Sequence, residues 1–313
     1  MSNIKNQQIY VYTFYRFKPI DKIRLIKFNL DKYVKNKIIY GTVLIAPEGI
    51  NGTISGTKKD LDIFINYLKN KIKIKKLSIK VSKNQFIPFY RLKIRIKKEI
   101  VTIGDKSINP TKKTGNYISP KEWDSIVKNK KYLIIDTRND YEVAIGSFKN
   151  AINPYTKSFR EFPKFIKNLN IDKNRPIAMF CTGGIRCEKA SSYLIDNGYK
   201  SIFQLEGGIL NYLEYKNNKK KITWEGECFV FDNRVAVNKK LKKGSYEQCY
   251  GCRHPITKHD MRLKSYIKGV SCRYCISSKS EKNLAASSTR QRQIDLAEKR
   301  NEDHSFKKIY GKS

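Results

Sequence analysis

The chain has 313 residues, of which 40% are hydrophobic and 30% are charged. This length excludes one small domain and predicts two or three, and long apolar-periodic segments exclude disorder over most of the chain. The formal net charge of +37 favours a polyanionic partner, with nucleic acid ahead of an acidic membrane surface. Lysine far outnumbers arginine in the chain. The base bias of an AT-rich coding sequence would also produce such an excess of lysine, so the positions of particular basic residues matter more than the total charge.

Residues 1–112 are predicted to form a ferredoxin-like α+β domain. Strand patterns at residues 9–15, 38–46, 53–55 and 77–81 alternate with helical periodicity at 21–34 and 60–68. A turn cluster at 47–52 joins the second and third strands as a hairpin. The resulting order, βαββαβ, is the ferredoxin-like pattern.

A basic stripe follows this domain's last predicted strand. Its cationic side chains share one face of an extended segment, opposite apolar residues, and are Arg91, Lys93, Arg95 and Lys97. Such a stripe is suited to contacting the phosphates of RNA, and two arginines run against the compositional bias. The alternative is an ordinary solvated strand face in a lysine-rich protein.

Residues 115–222 are predicted to form a central α/β domain with a parallel sheet. Short buried strands at residues 132–135, 177–180 and 201–204 lead to Asp136, Cys181 and Glu206, and they alternate with helical patterns. Active residues of open α/β folds lie at the carboxyl ends of strands, which is where Cys181 falls.

The loop after the strand ending at Phe180 predicts a reactive cysteine. A helix N-terminus lowers the pKa of Cys181 by stabilising its thiolate, and the Arg186 guanidinium adds a positive charge. Glycines let the backbone turn its N–H groups inward toward an anion. The sequence therefore predicts Cys181 and Arg186 as catalytic residues, and the loop between them comprises Thr182, Gly183, Gly184 and Ile185.

Three neighbouring residues leave alternatives open. Cys187 is either a thiol that resolves an oxidised or persulfidated Cys181, or a core-facing residue at the helix start, which we favour. Asp136 and Arg138 either line the mouth of the pocket or pair with each other at a strand end.

Residues 223–313 are predicted to form a small cysteine-rich module with a basic tail. Two C-x2-C pairs separated by 19 residues supply four thiolates suited to a tetrahedral structural zinc, namely Cys249, Cys252, Cys272 and Cys275. Basic residues and tyrosines between them suit single-stranded RNA, or the tyrosines cover the metal site.

The placement of the cysteines and the absence of long apolar runs bear on location. Seven cysteines, an odd number set in motifs, favour a reducing compartment. We find no secretory pattern in residues 1–20 and no apolar run long enough to span a bilayer, so we expect a cytoplasmic protein without a membrane partner.

These motifs resemble those of known families. The Cys181 loop, the Asp136–Arg138 element and the Glu206-Gly207-Gly208 turn resemble the rhodanese superfamily. More narrowly, the chain resembles the bacterial tRNA uridine hydroxylase family over residues 8–276, in the segments 46–53 (APEGINGT), 181–190 (CTGGIRCEKA), 205–211 (LEGGILN) and 224–234 (WEGECFVFDNR). Ser147 departs from the rhodanese pattern, because many rhodaneses place histidine there. Four residues separate Cys181 from Arg186, one fewer than in cysteine phosphatases on a similar fold, which favours sulfur over a phosphoryl group.

The resemblance implies oxygen-dependent 5-hydroxylation of the wobble uridine at position 34 of tRNA. It implies tRNA as partner, oxygen as co-substrate and Cys181 as the essential cysteine, with a persulfide as its expected form. The residues alone lead only to a reactive cysteine in an anion cradle, and we recognise no organic cofactor motif. The alternatives are an RNA-independent sulfurtransferase carrying a persulfide on Cys181, and an RNA-binding protein without enzymatic activity.

Overall fold

The structure is a computed structural model that describes residues 8–35, 37–217, 219, 221–300 and 302. The beginning of the predicted N-terminal domain, residues 1–7, and the end of the predicted basic tail, residues 303–313, lie outside the described residues. Among the helices that are described, we find none with the length and apolar character needed to cross a membrane.

The N-terminal part forms one five-stranded sheet with two helices. Its elements are β1 (Ile9–Phe17), α1 (Ile23–Val34), β2 (Tyr40–Ala46), β3 (Gly49–Gly56), α2 (Lys58–Lys71), β4 (Ser78–Asn84) and β5 (Leu92–Ile96). The strand order is β4-β1-β3-β2-β5, with β5 added parallel to β2 at the edge. The first four strands and two helices confirm the predicted ferredoxin-like pattern.

The helices of this sheet bury the apolar positions that the sequence periodicity marked. Ile26, Leu30 and Val34 lie on one side of α1 and pack into a core shared with Leu61 and Phe64 of α2. Helix α2 begins at an N-cap, since the Thr57 hydroxyl accepts a hydrogen bond from the Asp60 N–H at 3.2 Å.

The central part forms a four-stranded parallel sheet flanked by helices, as predicted. Its elements are β6 (Asn116–Ile118), α3 (Trp123–Lys128), β7 (Leu133–Asp136), α4 (Asp140–Val143), β8 (Gly146–Phe148), α5 (Phe162–Asn168), β9 (Ile177–Phe180), α6 (Ile185–Asp196), β10 (Ile202–Leu205) and α7 (Gly208–Tyr215). The order is β6-β10-β9-β7, and every pairing in this sheet is parallel. Strand β9 is therefore central, and all four of its residues are buried because sheet neighbours and helices cover both faces.

The C-terminal part starts as an addition to the central domain. Its elements are β11 (Trp224–Gly226), β12 (Cys228–Phe229), β13 (Ala236–Val237), β14 (Glu247–Gln248), β15 (Pro255–Ile256) and α8 (Glu281–Lys299). Strand β11 pairs with β8, and Trp224 packs edge-on against Phe148 in the central core. The cysteine-rich module follows, and α8 contains no buried residue.

Candidate active site and metal centre

Cys181 lies at the carboxyl end of the central strand β9. The chain turns sharply after it, and α6 starts at Ile185 with Gly184 as its N-cap in the left-handed conformation, φ +98°. Glycine adopts this conformation without strain, and an added Cβ would lie 2.9 Å from the Tyr15 hydroxyl. The Gly184 N–H donates to the Cys181 sulfur at 3.0 Å. Gly183 has open space where a Cβ would lie, so packing does not require glycine there.

The backbone of the Cys181 loop is held from below by the start of α7. The Ile209 N–H donates to the Cys181 carbonyl at 2.9 Å, and the Leu210 N–H donates to the Thr182 carbonyl at 3.1 Å. Gly208, with φ +66°, permits this approach, because a Cβ there would lie 2.5 Å from the Cys181 carbonyl oxygen. The glycine pair after β10 therefore positions the Cys181 loop.

The Arg186 guanidinium is bound by a carboxylate that the sequence analysis did not identify. Its Nη1 and Nη2 atoms donate to the two carboxylate oxygens of Glu142 at 2.8 and 2.6 Å. Glu142 is fully buried, and 7% of the Arg186 side chain is exposed. The role of Arg186 therefore differs from the expected one. Its guanidinium donates hydrogen bonds to Glu142, and it acts on Cys181 through its positive charge.

The surroundings of Cys181 favour the thiolate. Burial raises the pKa of its thiol, but a hydrogen bond from Cys187, the positive charge of Arg186 and the amides of residues 187 and 186 outweigh burial and lower that pKa to about 6. These groups therefore favour an anionic sulfur on Cys181.

Cys187 is a buried core residue that also contacts Cys181. Burial, followed by its hydrogen bond to Cys181 and the Cys181 charge, raises the pKa of the Cys187 thiol well above its ordinary value. Its sulfur lies 3.6 Å from the Thr137 hydroxyl. The structure thus shows the core-facing position that we favoured, and it also gives Cys187 a role as a protonated donor to the thiolate.

Asp136 and Arg138 pair with each other, which was the second of the two alternatives. Arg138 Nε and Nη2 donate to the Asp136 carboxylate at 2.9 and 2.6 Å, and both side chains have no exposed surface. The Ser147 hydroxyl donates to the same carboxylate at 2.9 Å. Ser147 thus supports this buried pair at the position where many rhodaneses place histidine.

The Cys181 sulfur lies at the floor of the site rather than at its surface, since the residue is 1% exposed. Tyr15 and Tyr117 reach the start of α6 beside it and donate to the same Glu188 carboxylate oxygen at 2.8 and 3.1 Å. Burial raises the pKa of Glu188 despite these hydrogen bonds. Thr182, Gly183 and Ile185, which follow Cys181, are partly exposed.

The N-terminal domain reaches the active-site helix through a buried lysine. Lys189 Nζ lies 2.7 Å from a Glu48 oxygen and 2.5 Å from a Glu99 oxygen, and 1% of its side chain is exposed. Glu48 belongs to the turn between β2 and β3, where no catalytic role was expected. The 46–53 motif therefore fixes α6 against the first domain.

The four predicted metal ligands converge. The sulfur atoms of Cys249, Cys252, Cys272 and Cys275 lie within 4.8 Å of one another. The distances from Cys272 to Cys252 and Cys275 are 3.7 and 4.0 Å, close to the ~3.8 Å sulfur separation of a tetrahedral zinc site. Four thiolate donors at this spacing fit a metal such as zinc, which would hold the two knuckles together.

The basic stripe lies along the edge strand β5 and meets the cysteine-rich module. Leu92 and Ile94 enter the core, whereas Lys93 lies among positive charges on the other face. Burial lowers the pKa of Lys93 most, and the positive charges of Arg91, Arg95 and Arg253 lower it further. Tyr90 and Tyr250 bring the two domains together, with their hydroxyls 3.3 Å apart.

Tyr15, Glu142, Glu188 and Lys189 are site residues that sequence reasoning missed. Glu188 and Lys189 lie inside the quoted loop motif, so their place in α6 was visible, but their partners were not. Glu142 was the hardest to find, because it lies 44 residues from Arg186 in a short helix. A charged residue predicted to be buried near a strand end is the signal that would have pointed to it.

Comparison with known families agrees with this architecture. Residues 119–215 match the family described as Rhodanese-like domain, and residues 9–100 match the family described as UPF0176 acylphosphatase like domain. The chain is thus a rhodanese-domain protein with an N-terminal UPF0176 acylphosphatase-like domain. A rhodanese domain indicates an enzyme that acts on sulfur or related chemistry.

Several solved structures are similar to part of this chain. A rhodanese-like domain protein from Staphylococcus aureus is 30% identical, and the match covers 31% of this chain and 90% of that one, with a TM-score of 0.26. A rhodanese-related protein from Thermoplasma volcanium is 26% identical, with coverages of 32% and 92% and a TM-score of 0.28. A single-domain sulfurtransferase from Saccharomyces cerevisiae is 20% identical, with coverages of 35% and 98% and a TM-score of 0.30.

Proposed function

We propose that this protein is a cytoplasmic tRNA-modifying enzyme that hydroxylates C5 of the wobble uridine, at position 34, with Cys181 as its essential cysteine. The observation that carries an enzymatic role is the Cys181 sulfur, held as a thiolate by the N–H of Gly184 and by neighbouring groups. The hydroxylation itself rests on the motif resemblance, and the geometry contributes the reactive cysteine.

The reaction has a defined balance. One atom of O2 enters the C5–H bond of uridine to give C5–OH, and the other becomes water, which takes two electrons and two protons. We propose that an external thiol reductant supplies both electrons and is oxidised to a disulfide. Cys181, Arg186 and the loop 182–185 form the reacting centre in this proposal, and Glu142 positions Arg186.

The domains on either side of the rhodanese domain support an RNA substrate. The stripe of Arg91, Lys93, Arg95 and Lys97 provides positive charge for phosphates, and Arg253 of the cysteine-rich module adds to it. In this proposal zinc has a structural role at the four cysteines, because it would hold the module that carries Arg253 and Tyr250.

The test is mass spectrometry of tRNA nucleosides from cells with and without the gene. We expect 5-hydroxyuridine and its derivatives to disappear in the deletion strain and to return with the wild-type gene but not with Cys181→Ala. Purified protein, thiol reductant and O2 should then convert unmodified tRNA. Full rescue by Cys181→Ala, or unchanged nucleosides in a strain without a second pathway, would contradict the proposal.

The second candidate is an RNA-independent sulfurtransferase, favoured by the small Cys181 loop and its anionic sulfur. The thiolate would attack the outer sulfur of thiosulfate, giving a Cys181 persulfide and releasing sulfite, and would then pass that sulfur to an acceptor thiolate. This would carry the reactive atom outward from a buried residue. Rapid thiosulfate-to-cyanide transfer, together with unchanged tRNA nucleosides in the deletion strain, would favour this candidate.

A further inference from the structure

An exposed aromatic ring stands next to the Cys181 loop. Phe231 is 61% exposed, and the Arg186 guanidinium carbon lies 5.9 Å from its ring centroid. The ring is supported on its inner side by Phe229, at 5.1 Å in a T-shaped arrangement. Large apolar side chains are exposed elsewhere too, but Phe231 is distinguished by its contact with the arginine of the reactive loop.

Phe231 is the outer end of a row of rings. Phe229, which is 2% exposed, packs on Tyr141 at 5.2 Å, and Tyr141 packs on His254 at 5.2 Å. His254 stacks on Tyr274 at 5.0 Å, and Tyr274 is 46% exposed. The row connects the Cys181 loop with the cysteine-rich module, and its buried interior fixes the position of Phe231.

The charges around Phe231 favour a neutral planar ligand on the ring and anionic groups beside it. The Arg186 guanidinium is already paired through both nitrogens with Glu142, so it is not free to bind an anion. The Asn233 N–H, two residues after Phe231, donates to the Pro88 carbonyl at 2.9 Å. Arg91 follows Pro88 by three residues, so the basic stripe begins close to the segment that carries the ring.

We propose that Phe231 is the surface on which the unpaired uracil base of the RNA substrate stacks beside the Cys181 loop. The flanking phosphates lie along the stripe that starts at Arg91. An aromatic ring binds a base through its π-face, and an enzyme that modifies a base needs the base unstacked from its neighbours. This inference rests on the proposed function and deepens it by naming a substrate-positioning residue.

The experiment measures the affinity of the full chain for two anticodon stem-loops at one fixed, low salt concentration. One stem-loop carries uridine at position 34, and the other carries an abasic site there. With wild-type protein we expect the abasic RNA to bind about tenfold more weakly, which is the loss of one stacked base. Phe231→Ala should bind the uridine RNA about tenfold more weakly than wild type does, and it should bind the abasic RNA as tightly as wild type does.

Two further variants isolate the ring. Phe231→Trp should retain the discrimination between the two RNAs, because it keeps a π-face. Phe28→Ala is the matched control: Phe28 is 64% exposed on α1 in the N-terminal domain, and its removal should leave both affinities unchanged. Unfolding curves of Phe231→Ala should match wild type closely, since the side chain is mostly exposed.

The outcomes separate this inference from the proposed function. Equal binding of both RNAs by wild type, or an undiminished preference for uridine in Phe231→Ala, would overturn the stacking role while the nucleoside assay still tests hydroxylation. If Phe231→Ala changes only self-association of the chain, the ring contacts a second copy and the inference fails. Absence of any RNA binding by wild type would overturn both proposals.

Discussion

Glu142 and Arg186 form a buried bidentate ion pair, with donor–acceptor distances of 2.8 and 2.6 Å. The pair joins the short helix α4 to the first turn of α6. It fixes the orientation of Arg186, whose positive charge stabilises the Cys181 thiolate. The negative charge of Glu142 partly offsets that positive charge. The site therefore depends on α4 and α6, the helices that follow β7 and β9, and not on the Cys181 loop alone.

Glu142→Gln should destabilise the rhodanese domain by about 3 kcal/mol or more, because it leaves the Arg186 charge buried without its partner. Urea unfolding followed by circular dichroism measures the change. The control is Glu225→Gln, which removes an exposed pair with Lys149 and should cost roughly 0.5 kcal/mol or less. Similar losses in the two variants would mean that burial does not strengthen the dependence on Glu142.

The reactivity of Cys181 should rise as the pH increases through about 6 and then level off. An ordinary cysteine would continue to gain reactivity up to about pH 9. The rate of alkylation of Cys181, followed by mass spectrometry from pH 4.5 to 9.5, measures this dependence. The pKa of Cys181 is lower in the folded protein than in the unfolded chain. The thiolate therefore stabilises the fold at pH values above the pKa of the unfolded chain, and this stabilisation is lost as the pH falls toward 6.

Cys187→Ala should shift that alkylation profile to higher pH, since the Cys187 hydrogen bond is the largest of the effects that lower the Cys181 pKa. Cys187→Ser is the matched variant and should shift the profile less, because its hydroxyl also donates a hydrogen bond. Identical profiles for the alanine and wild-type proteins would show that the loop amides and Arg186 lower the Cys181 pKa without help from Cys187.

Purified protein should contain about one zinc ion per chain, bound by the four-cysteine cluster. Cys272→Ser should lose the metal and increase the proteolytic sensitivity of residues 249–276, because the small module then lacks its cross-link. Cys228→Ser is the control, since Cys228 is buried in the central core and should leave the metal content unchanged. Metal analysis by mass spectrometry tests both statements.

Reversing two charges of the stripe, Arg91→Glu with Arg95→Glu, should weaken binding to tRNA by at least about tenfold at low salt and reduce the salt dependence of binding. The comparison is Lys130→Glu with Lys131→Glu, which makes the same charge change just before β7, an edge strand of the parallel sheet rather than of the sheet that carries the stripe. Equal losses in the two proteins would indicate that total charge, rather than the stripe, holds the RNA.

The sequence by itself determined the features that depend on local spacing. Apolar periodicity located α1 and α2, and the pattern of short buried strands located the parallel sheet and placed Cys181 at the end of β9. The paired C-x2-C motifs located the four clustered thiols, since two cysteines in one knuckle are neighbours in any fold. These features depend on the repeat of helix and strand and on chain reversal at glycine, which nearby residues decide.

Only the tertiary structure decided which distant charges meet. Glu142 reaches Arg186, and Glu48 and Glu99 reach Lys189, because the packing of whole elements brings together residues that are 44, 141 and 90 positions apart. Burial makes these pairings strong, and burial depends on the complete core rather than on any segment. The same reason explains why the loop composition indicated a thiolate, whereas the depth of Cys181 and the position of Phe231 beside it emerged only from the assembled domains.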